Sequence, residues 1–373
     1  MRVLLVGNYA FDGSKSMQIW ADALFRELTA REISVKLTAP KPVFGRLKPA
    51  AAGLGKWLGY IDRFLLFPGQ LRAAASQADL VHISDHGSAM FAFVVKDKPV
   101  LVTCHDMLAV RGALGEIAEM RSSPAGRLLQ LWVRLGLRRA TRVACVSQFT
   151  LDDATRVLKS GANLSKVLNG LNYPFRPLAA AEVDKRLAGI PAIRKPFLLH
   201  VGSGHPRKNR DGVLRIFEKA NRHADLQLVF AGQGLSGQLL RLARDLKVDD
   251  RIVQVINPSV ELVEALYSRA VALLFPSRYE GFGWPAIEAQ ACGCPVVASS
   301  IPSLAEILAQ SAALFPLEDE QGMANFAAKL ADDDVLWGQM QQRGLENVRS
   351  RFQTSRMMDD YLALYRELAA GNG

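Results

Sequence analysis

The feature that most constrains the fold is an alternation of short apolar runs with longer amphipathic stretches along nearly the whole chain of 373 residues. Short apolar runs between helical stretches predict a parallel sheet covered by helices on both faces. The predicted strands of the first half are Val3–Val6, Ser34–Thr38, Leu80–Ile83, Val100–Thr103 and Arg142–Val146. Those of the second half are residues 196–202, 226–232, 251–256, 272–277 and 295–299.

The pattern lapses between the two series. Residues 171–195 contain several prolines and no clear periodicity, which indicates a linker between domains. We therefore predict two doubly wound, Rossmann-like α/β domains, residues 1–176 and 177–351. Ligands bind such sheets at the carboxyl ends of the strands. Residues 352–373 have a helical pattern of apolar side chains and form a predicted terminal helix.

Composition excludes several other classes of protein. No apolar run approaches the roughly 20 residues of a membrane-spanning helix, and the first residues lack the features of a secretory signal. We therefore expect a cytoplasmic location. Four cysteines without paired spacing indicate reduced packing residues and neither a disulfide framework nor a zinc site.

The formal net charge of +10 is unevenly placed. Residues 1–176 hold 24 Lys and Arg against 13 Asp and Glu, whereas residues 177–373 hold 22 against 23. Two basic amphipathic stretches, Phe44–Ala75 and Gly126–Arg142, lie in the first half. They are typical of segments that rest on an anionic membrane surface, or of helices whose apolar side chains form a domain core and whose charges are solvated. For Gly126–Arg142 the pattern favours the second interpretation. Both interpretations stay open here.

Three segments after predicted strands of the second half could contact a phosphorylated ligand. The segment Gly202–Asn209 (GSGHPRKN) opens a helix, so its backbone amides, Arg207 and Lys208 can converge on a phosphate. A solvated basic turn explains it equally well. Gly232 allows a close turn, and the exposed backbone near Ile256 is a candidate to bind a nucleobase.

The most informative segment brackets a glycine-rich turn with two carboxylates. Glu280 precedes Gly281, Phe282 and Gly283, and Pro285 suits the first turn of a helix that extends to Ala291. A helix N-terminus attracts anions. Glu288, about one turn into this helix, and Glu280 on the loop can each accept hydrogen bonds from a vicinal diol, one on a sugar and the other on a ribose.

This segment resembles the retaining GT-B glycosyltransferases of family 4. Their pattern has a Glu, a Gly-Phe-Gly-like turn, a second Glu eight positions on and a Gly-x-Pro-Val-Val strand. The matching positions here are Glu280, Gly281, Phe282, Gly283, Glu288, Gly293, Pro295, Val296 and Val297. The family's Arg-Lys-Asn corresponds to Arg207, Lys208 and Asn209, and the resemblance in outline covers nearly the whole chain.

The resemblance implies a role for each matching residue. Arg207 and Lys208 would hold the diphosphate of a nucleotide sugar, Glu280 would bind the sugar hydroxyls, and Glu288 would bind the ribose. The backbone of Gly281, Phe282, Gly283 and Trp284 would line the sugar and phosphate pocket. The family usually has Leu or Met where Trp284 stands, so the larger ring is a departure at this pocket.

The resemblance also implies that the helix of residues 352–373 crosses back onto the first domain. The first half resembles the family less closely, which suits the domain that binds the acceptor. Gly13 and Ser14 lie in the loop that corresponds to a glycine-rich turn of the family, although only one glycine is present. His105, at the end of a predicted strand, matches the family's His beside the sugar. His82, Asp85 and His86 are candidates to line the acceptor site, and structural roles explain these three equally well.

The reaction implied by the resemblance is transfer of a hexose, mannose or glucose, from a GDP- or UDP-linked sugar with retention of anomeric configuration. The acceptor would be a glycan or a lipid-linked glycan of bacterial-type cell-surface polysaccharide or lipopolysaccharide synthesis. We expect no cofactor and no metal, with Arg207, Lys208 and the helix start neutralising the departing phosphate. The D-x-D spacing of Asp332–Asp334 instead indicates a capping cluster.

Two alternatives fit parts of the sequence. A nonhydrolysing sugar-nucleotide epimerase shares the architecture but needs no acceptor. A nonenzymatic protein that binds membranes or polyanions explains the basic first half but leaves Arg207, Lys208, Glu280 and Glu288 without a role. We expect no nucleic acid partner, because the interleaved aromatic residues of a single-strand reader are missing.

Overall fold

The computed structural model describes residues 1–13, 15–48, 53–159 and 163–371. Contacts between residues divide the chain into two compact units. The first unit comprises Met1–Tyr173 and Thr354–Gly373, and the second comprises Pro174–Gln353. The end of the chain therefore belongs to the same unit as its beginning.

The first unit contains a parallel sheet in the order β2-β1-β3-β4-β5-β6. Its strands are β1 (Arg2–Val6), β2 (Ser34–Thr38), β3 (Leu80–Ile83), β4 (Val100–Cys104), β5 (Arg142–Cys145) and β6 (Leu164–Lys166). Val3 pairs with Val35 on one side and with Leu80 on the other. The direction of winding reverses at β1 and β3, so the crevice for a ligand is expected at their carboxyl ends.

The second unit repeats this architecture in the order β12-β11-β10-β7-β8-β9, again with parallel pairs. Its strands are β7 (Phe197–Gly202), β8 (Gln227–Gly232), β9 (Ile252–Ile256), β10 (Ala272–Phe275), β11 (Val296–Ser299) and β12 (Ala313–Phe315). The central strands β7 and β10 lie at the reversal of strand order. The carboxyl ends of these two strands therefore mark the second crevice.

Helices connect the strands of both sheets. In the first unit they are α1 (Lys15–Ala30), α2 (Gly53–Ile61), α3 (Phe67–Ala75), α4 (Leu108–Ala113), α5 (Pro124–Arg139) and α6 (Gln148–Leu158). The second unit contains α7 (Ala180–Leu187), α8 (Arg210–Asn221), α9 (Gly237–Asp245), α10 (Val260–Arg269), α11 (Trp284–Ala291), α12 (Pro302–Leu308), α13 (Glu320–Asp332) and α14 (Asp334–Arg351). The last helix, α15 (Thr354–Ala370), belongs to the first unit.

Each unit has its own apolar core. In the first, strand residues such as Val81 and Val102 pack with Phe67 and Phe91. In the second, a separate cluster includes the strand residues Leu198, Leu228, Leu274 and Val297, together with Phe217 and Met323 of the helices. Strands buried on both faces have nearly continuous apolar sequences, which is why the alternation predicted them.

Helix α15 packs against the first sheet through its buried face, which contains Met357, Met358, Tyr361 and Tyr365. The Tyr365 hydroxyl lies 2.7 Å from Nδ1 of His82 on β3, and the Tyr361 hydroxyl lies 2.9 Å from Oγ1 of Thr103 on β4. These buried hydrogen bonds join the end of the chain to the central strands of the first unit.

The predicted fold class of two Rossmann-like parallel-sheet domains is confirmed, and every predicted strand occurs. The edge strands β6 and β12 were missed, because three residues are too few to show a period. The absence of periodicity between residues 171 and 195 was also misleading, because this segment contains α7. Val183 of α7 is buried, and Arg186 pairs with Glu264 of α10 at 2.7 Å, so tertiary contacts stabilise this short helix.

Three smaller predictions can be checked directly. The four cysteine side chains are buried and free. Asp333 caps α14 by accepting a hydrogen bond from the backbone N–H of Leu336, which confirms the capping role of the D-x-D segment. In the part of the chain that the structure describes, no helix is long and apolar enough to cross a membrane.

Candidate functional site

In the crevice of the second unit, ion pairs join the loops that follow β7 and β10. Arg207 and Lys208 lie in a single 3-10 turn after β7, and Glu280 lies in the loop after β10. Nζ of Lys208 is 2.6 Å from one carboxylate oxygen of Glu280, and Arg207 contacts the other at 2.6 Å. The Ser277 hydroxyl also donates to Glu280, at 2.8 Å. The predicted phosphate-binding cations and the predicted sugar-binding carboxylate thus belong to one cluster.

Burial makes this cluster electrostatically strong. Lys208 and Glu280 are each only 5% exposed. Burial alone would raise the pKa of Glu280, but the charges of Lys208 and Arg207 outweigh it and lower that pKa to about 2. Glu280 is therefore ionised at neutral pH, and an incoming anion can compete with it for both cations.

Backbone conformation brings these loops together. Asn209 adopts a left-handed conformation with a φ of 52°, which ends the Arg-Lys turn and starts α8. Gly232 has a φ of 130°, and a Cβ there would lie 2.4 Å from the carbonyl oxygen of Gly202. Gly283 has a φ of 94° and caps α11, where a Cβ would lie 2.6 Å from Leu304. The last two positions require glycine because any side chain would meet a neighbour.

The helix predicted after the glycine turn is α11, and it presents Glu288 near its first turn. The Tyr267 hydroxyl donates a hydrogen bond to Glu288 at 3.1 Å. Burial raises the pKa of Glu288 to about 7, with the Tyr267 hydrogen bond and Lys208 opposing the shift. The pKa values of these two carboxylates, eight residues apart, therefore shift in opposite directions, because two cations bond to Glu280 whereas burial dominates at Glu288.

The aromatic residues of the turn pack on the protein. Phe282 is buried, and its ring lies 5.1 Å from that of Trp284 and 5.8 Å from that of Phe352. Trp284 is half-buried at the first position of α11. A contribution of Phe282 to ligand binding is thus limited to its backbone.

A different polar cluster occupies the crevice of the first unit. Asn8 follows β1, Asp85 and His86 follow β3, and His105 follows β4. The side-chain amide of Asn8 donates to Asp85, which also accepts from the backbone of Gly87 at 2.9 Å and lies 3.2 Å from the His86 ring. Burial would raise the pKa of Asp85, but the two histidines and these hydrogen bonds lower it.

His105 keeps one ring nitrogen without a hydrogen-bond partner. Its Nε2 lies 2.9 Å from the carbonyl oxygen of Ser84, so this nitrogen carries the proton and donates. Nδ1 is buried and has no partner among the described residues. The Trp20 ring packs edge-on at 4.9 Å. Burial lowers the pKa of His105, although Asp85 opposes this shift, so the ring is neutral and Nδ1 is an acceptor.

One predicted ligand contact is corrected by these positions, and the role of another residue becomes clearer. His82 is fully buried, and both ring nitrogens are engaged, one by Tyr365 and the other by Thr103 at 2.8 Å. It is a packing residue under α15 and does not line an acceptor site. The side chain of Asn209 donates to the Pro276 carbonyl and accepts from Arg278, so it holds two loops together. Its contact with a sugar nucleotide stays a prediction.

The remaining predicted residues are placed as follows. Gly13 is exposed in the loop between β1 and α1, with a φ of 78° and open space around it. Ser14 lies outside the described residues. Ile256 ends β9 with 61% of its surface exposed, and the next backbone N–H is bonded to the Gly232 carbonyl. The roles of these residues stay predictions.

Sequence reasoning missed Arg210, which organises the second crevice. This residue is 4% exposed, and its guanidinium donates to the carbonyl oxygens of Gly202, Gln233 and Gly234. It thereby ties the loop after β7 to the loop after β8. The available signal was its position directly after the Arg-Lys-Asn run. Sequence reasoning also missed Ser277, which lies three residues before its partner Glu280. Tyr267 carries no local signal because its partner Glu288 lies on another helix.

The chemistry available at the second crevice is recognition of a polar, anionic ligand. Two cations bonded to one buried carboxylate can bind phosphate oxygens, while the carboxylate accepts hydroxyl hydrogens. Among the described residues, no group of three or more His, Cys, Asp or Glu side chains is arranged to hold a metal ion.

Two family models match this chain, one for each unit. Residues 189–350 match "Glycosyl transferases group 1", and residues 17–172 match "Glycosyltransferase Family 4". Together with the two Rossmann-like sheets, these matches place the chain in the GT-B fold class. The chain belongs to the group 1 and family 4 glycosyltransferases.

Characterised relatives are distant. The chain is 24% identical over 68% of its length to N-acetyl-alpha-D-glucosaminyl L-malate synthase of Bacillus anthracis, spanning 66% of that protein. It is 31% identical over 34% of its length to the O-antigen chain mannosyltransferase RfbU of Salmonella typhimurium, spanning 36% of that protein. Identity to the D-inositol 3-phosphate glycosyltransferase of Saccharomonospora viridis is 28% over 81% of the chain and 74% of the relative.

Solved structures of similar fold cover nearly the whole chain. Sucrose-phosphate synthase from Thermosynechococcus elongatus is 21% identical, with a TM-score of 0.80 over 100% of both chains. Anabaena HepE, solved in complex with UDP and glucose, is 15% identical, with a TM-score of 0.76 over 98% of this chain and 99% of that one. At these identities the likeness defines the fold.

Proposed function

We propose that this protein transfers a sugar from a nucleotide-diphosphate sugar to an acceptor, with the crevice of the second unit as its sugar-donor site. The observation that carries the proposal is the buried Glu280 bonded to Arg207 and Lys208 at the reversal of strand order. A cluster of this composition can bind both the diphosphate and the sugar hydroxyls. Family membership supports the same reaction class.

The binding step is an exchange of partners. The diphosphate takes hydrogen bonds from Arg207 and Lys208, and Glu280 then accepts hydrogen bonds from the sugar in place of those it loses. Glu288 accepts from the ribose. The two cations compensate the charge of the diphosphate within a buried site, which limits the desolvation cost of binding.

The transfer step follows from that arrangement. The bond between the anomeric carbon and the phosphate oxygen breaks, and the acceptor oxygen bonds to the same face of that carbon, which retains its configuration. The proton of the acceptor hydroxyl passes to the departing phosphate. Arg207, Lys208 and the N-terminus of α11 neutralise the charge that develops on that phosphate, without a metal or cofactor. In the first unit, Nδ1 of His105 can accept a hydrogen bond from a sugar hydroxyl.

The substrates belong to the same proposal. We infer a hexose, mannose or glucose, carried by GDP or UDP, and a glycan or lipid-linked acceptor of bacterial-type surface polysaccharide synthesis at the inner face of the membrane. The O-antigen mannosyltransferase among the relatives supports mannose, whereas the HepE complex with UDP and glucose supports glucose and UDP.

A screen of GDP- and UDP-linked hexoses for slow hydrolysis tests the proposal, because transferases lose some sugar to water. We expect one donor to be hydrolysed and its nucleoside diphosphate to bind in calorimetry. Glu280→Gln should reduce hydrolysis about 10- to 100-fold by weakening hydrogen bonds to a charged group, while nucleoside diphosphate still binds. Absence of binding and turnover for every donor would overturn the proposal.

The chain contains a matched control for this variant. Glu320 also pairs with an arginine and a lysine, at 2.7 Å from Arg215 and 2.7 Å from Lys219, but lies at the start of α13. Glu320→Gln should leave hydrolysis unchanged. Equal losses in both variants would mean that Glu280 serves only the stability of the second unit.

A further inference from the structure

Helix α2 in the first unit packs on the domain through glycines and exposes its large apolar side chains. Gly55 and Gly59 are buried, whereas Leu54 and Trp57 are 60% and 62% exposed. A Cβ at Gly59 would lie 3.0 Å from the Tyr9 ring, so this face fits closely against the domain. Helices of globular proteins normally bury the apolar stripe. The packing of α2 leaves that stripe for something outside the unit.

The exposed stripe continues into the π-helical turn Asp62–Leu66 that follows α2. Ile61 is 36% exposed and Leu65 is 74% exposed. In the preceding 3-10 turn, Phe44 and Leu47 are also exposed, at 39% and 77%. Large apolar side chains are therefore exposed in the 3-10 turn Phe44–Leu47, in α2 and in the π-helical turn Asp62–Leu66.

Helix α5 carries a second exposed stripe. Its inner face buries Val133 and Leu137 in the core. Its outer face has four large apolar residues at helical spacing, with exposures between 40% and 68%: Leu128, Leu131, Trp132 and Leu135. One helix thus has two apolar faces, of which the domain core covers only one.

A chain of aromatic rings makes the two stripes one surface. The Trp57 ring lies 5.6 Å from Tyr60, Tyr60 lies 5.4 Å from Phe64, and Phe64 lies 5.3 Å from Trp132 of α5. We call this surface the apolar face, defined by the exposed residues of α2, of Leu65 and of α5. Contiguous exposed patches of this kind mark interaction sites.

The charged residues of the two segments that carry the apolar face are almost all positive. Gly126–Arg142 contains no Asp or Glu, and Phe44–Ala75 contains only Asp62. Asp62 is 1% exposed and is occupied by the Tyr9 hydroxyl and by three backbone N–H groups. In contrast, Arg46, Lys48, Lys56, Arg63, Arg127, Arg134 and Arg139 form no ion pair with a described residue.

We propose that the apolar face docks the protein on an anionic lipid bilayer, with Trp57, Leu54, Leu65 and Leu128 entering the headgroup region. Interfacial helices combine apolar side chains with Lys and Arg, and the long basic side chains reach the headgroups from the edge of the face. The net positive charge favours a lipid surface over an uncharged protein groove. This inference concerns the first unit and does not depend on which sugar is transferred.

Flotation of the full chain with vesicles tests the proposal. We expect it to float with phosphatidylcholine vesicles that contain phosphatidylglycerol, more weakly with phosphatidylcholine alone, and less as salt is raised. The double variant Trp57→Ser/Leu128→Ser should bind vesicles about tenfold more weakly or worse, because it lacks two apolar side chains that the bilayer would bury. Lys56→Ala/Arg127→Ala/Arg139→Ala should abolish the preference for phosphatidylglycerol.

The control is Val335→Ser, which changes an apolar residue of the second unit that is 71% exposed. It should float like the unaltered chain. Thermal melting and nucleoside diphosphate binding confirm that each variant is folded. No association with anionic vesicles, or equal association of the Trp57→Ser/Leu128→Ser variant, would overturn the proposal. A dimer in sedimentation that this variant dissociates, without vesicle binding, would overturn it in favour of a second copy as the occupant.

Discussion

The two units have the same sheet architecture but different chemistry at the reversal of strand order. In the second unit the loops after β7 and β10 bring together two cations and one buried carboxylate. In the first, the loops after β1, β3 and β4 bring together an amide, a carboxylate and two histidines. The fold thus supplies the position of a crevice, whereas a few loop residues decide what that crevice binds.

The difference also concerns charge. The second crevice contains ion pairs between Glu280 and two cations, Arg207 and Lys208. An anionic ligand can separate these pairs by binding the cations. The first leaves His105 neutral, with a free acceptor nitrogen, so it is suited to hydroxyl groups. Variants in the two crevices should therefore affect different steps: nucleotide binding in the second unit and sugar transfer in the first.

Lys208→Met should have the largest effect. It leaves the buried Glu280 with only Arg207 and Ser277, and breaking a buried ion pair costs about 3 kcal/mol of folding free energy. Nucleoside diphosphate affinity should fall at least about tenfold with the loss of a charged contact. Chemical denaturation and calorimetry measure these two quantities.

Lys219→Met is the matched control because Lys219 pairs with a half-buried Glu320 and is itself 27% exposed. It should cost less than about 1 kcal/mol. The double variant Lys208→Met/Glu280→Gln should regain part of the lost stability, since it removes the unpaired charge. If Lys208→Met lowered the folding free energy no more than Lys219→Met, the contrast between a charged and a neutral crevice would be wrong.

His105→Phe tests the other crevice. The substitution keeps a ring beside Trp20 and removes both nitrogens, so we expect transfer to fall about 10- to 100-fold while nucleoside diphosphate affinity is unchanged. His82→Phe is the control: it breaks hydrogen bonds to Tyr365 and Thr103 and should lower thermal stability with little effect on turnover at low temperature. A loss of nucleotide affinity in His105→Phe would contradict the assignment of steps to units.

Glu288→Gln should have a smaller effect that depends on pH. Burial raises the pKa of Glu288 from 4.5 to about 7, so the folded state favours the protonated form. The contribution of Glu288 to the free energy of unfolding is therefore greatest below pH 4.5 and declines as pH rises toward 7. Glu288→Gln should remove that decline and make the protein more stable at pH 8 by about 3 kcal/mol.

Nucleotide binding gives a second readout at Glu288. Because an ionised carboxylate accepts ribose hydrogens better, affinity for the nucleoside diphosphate should increase as pH rises through about 7 and should be flat in the variant. Denaturation and calorimetry at several pH values measure both effects. Identical pH dependence in the two proteins would exclude Glu288 as the titrating group.

Much of the fold was predictable because its signals are local. Most predicted strands are short apolar runs buried in a parallel sheet, whereas the edge strand β2 is only partly buried. The glycine turn with Pro285 marked the start of α11. The misses were the edge strands β6 and β12 and helix α7. Those elements are short, and they are stabilised by neighbours such as Glu264 of α10 that a local pattern does not contain.

The sequence by itself determined which residue types follow each strand, and therefore that Arg207, Lys208 and Glu280 lie at carboxyl ends of strands. Tertiary structure alone decided that Lys208 meets Glu280, that His82 is covered by α15, and that Arg210 holds three loop carbonyls. It also decided which apolar face of α2 and α5 is exposed. The physical reason is that periodicity reports how side chains are arranged around an element, whereas burial, charge pairing and pKa depend on what packs against it.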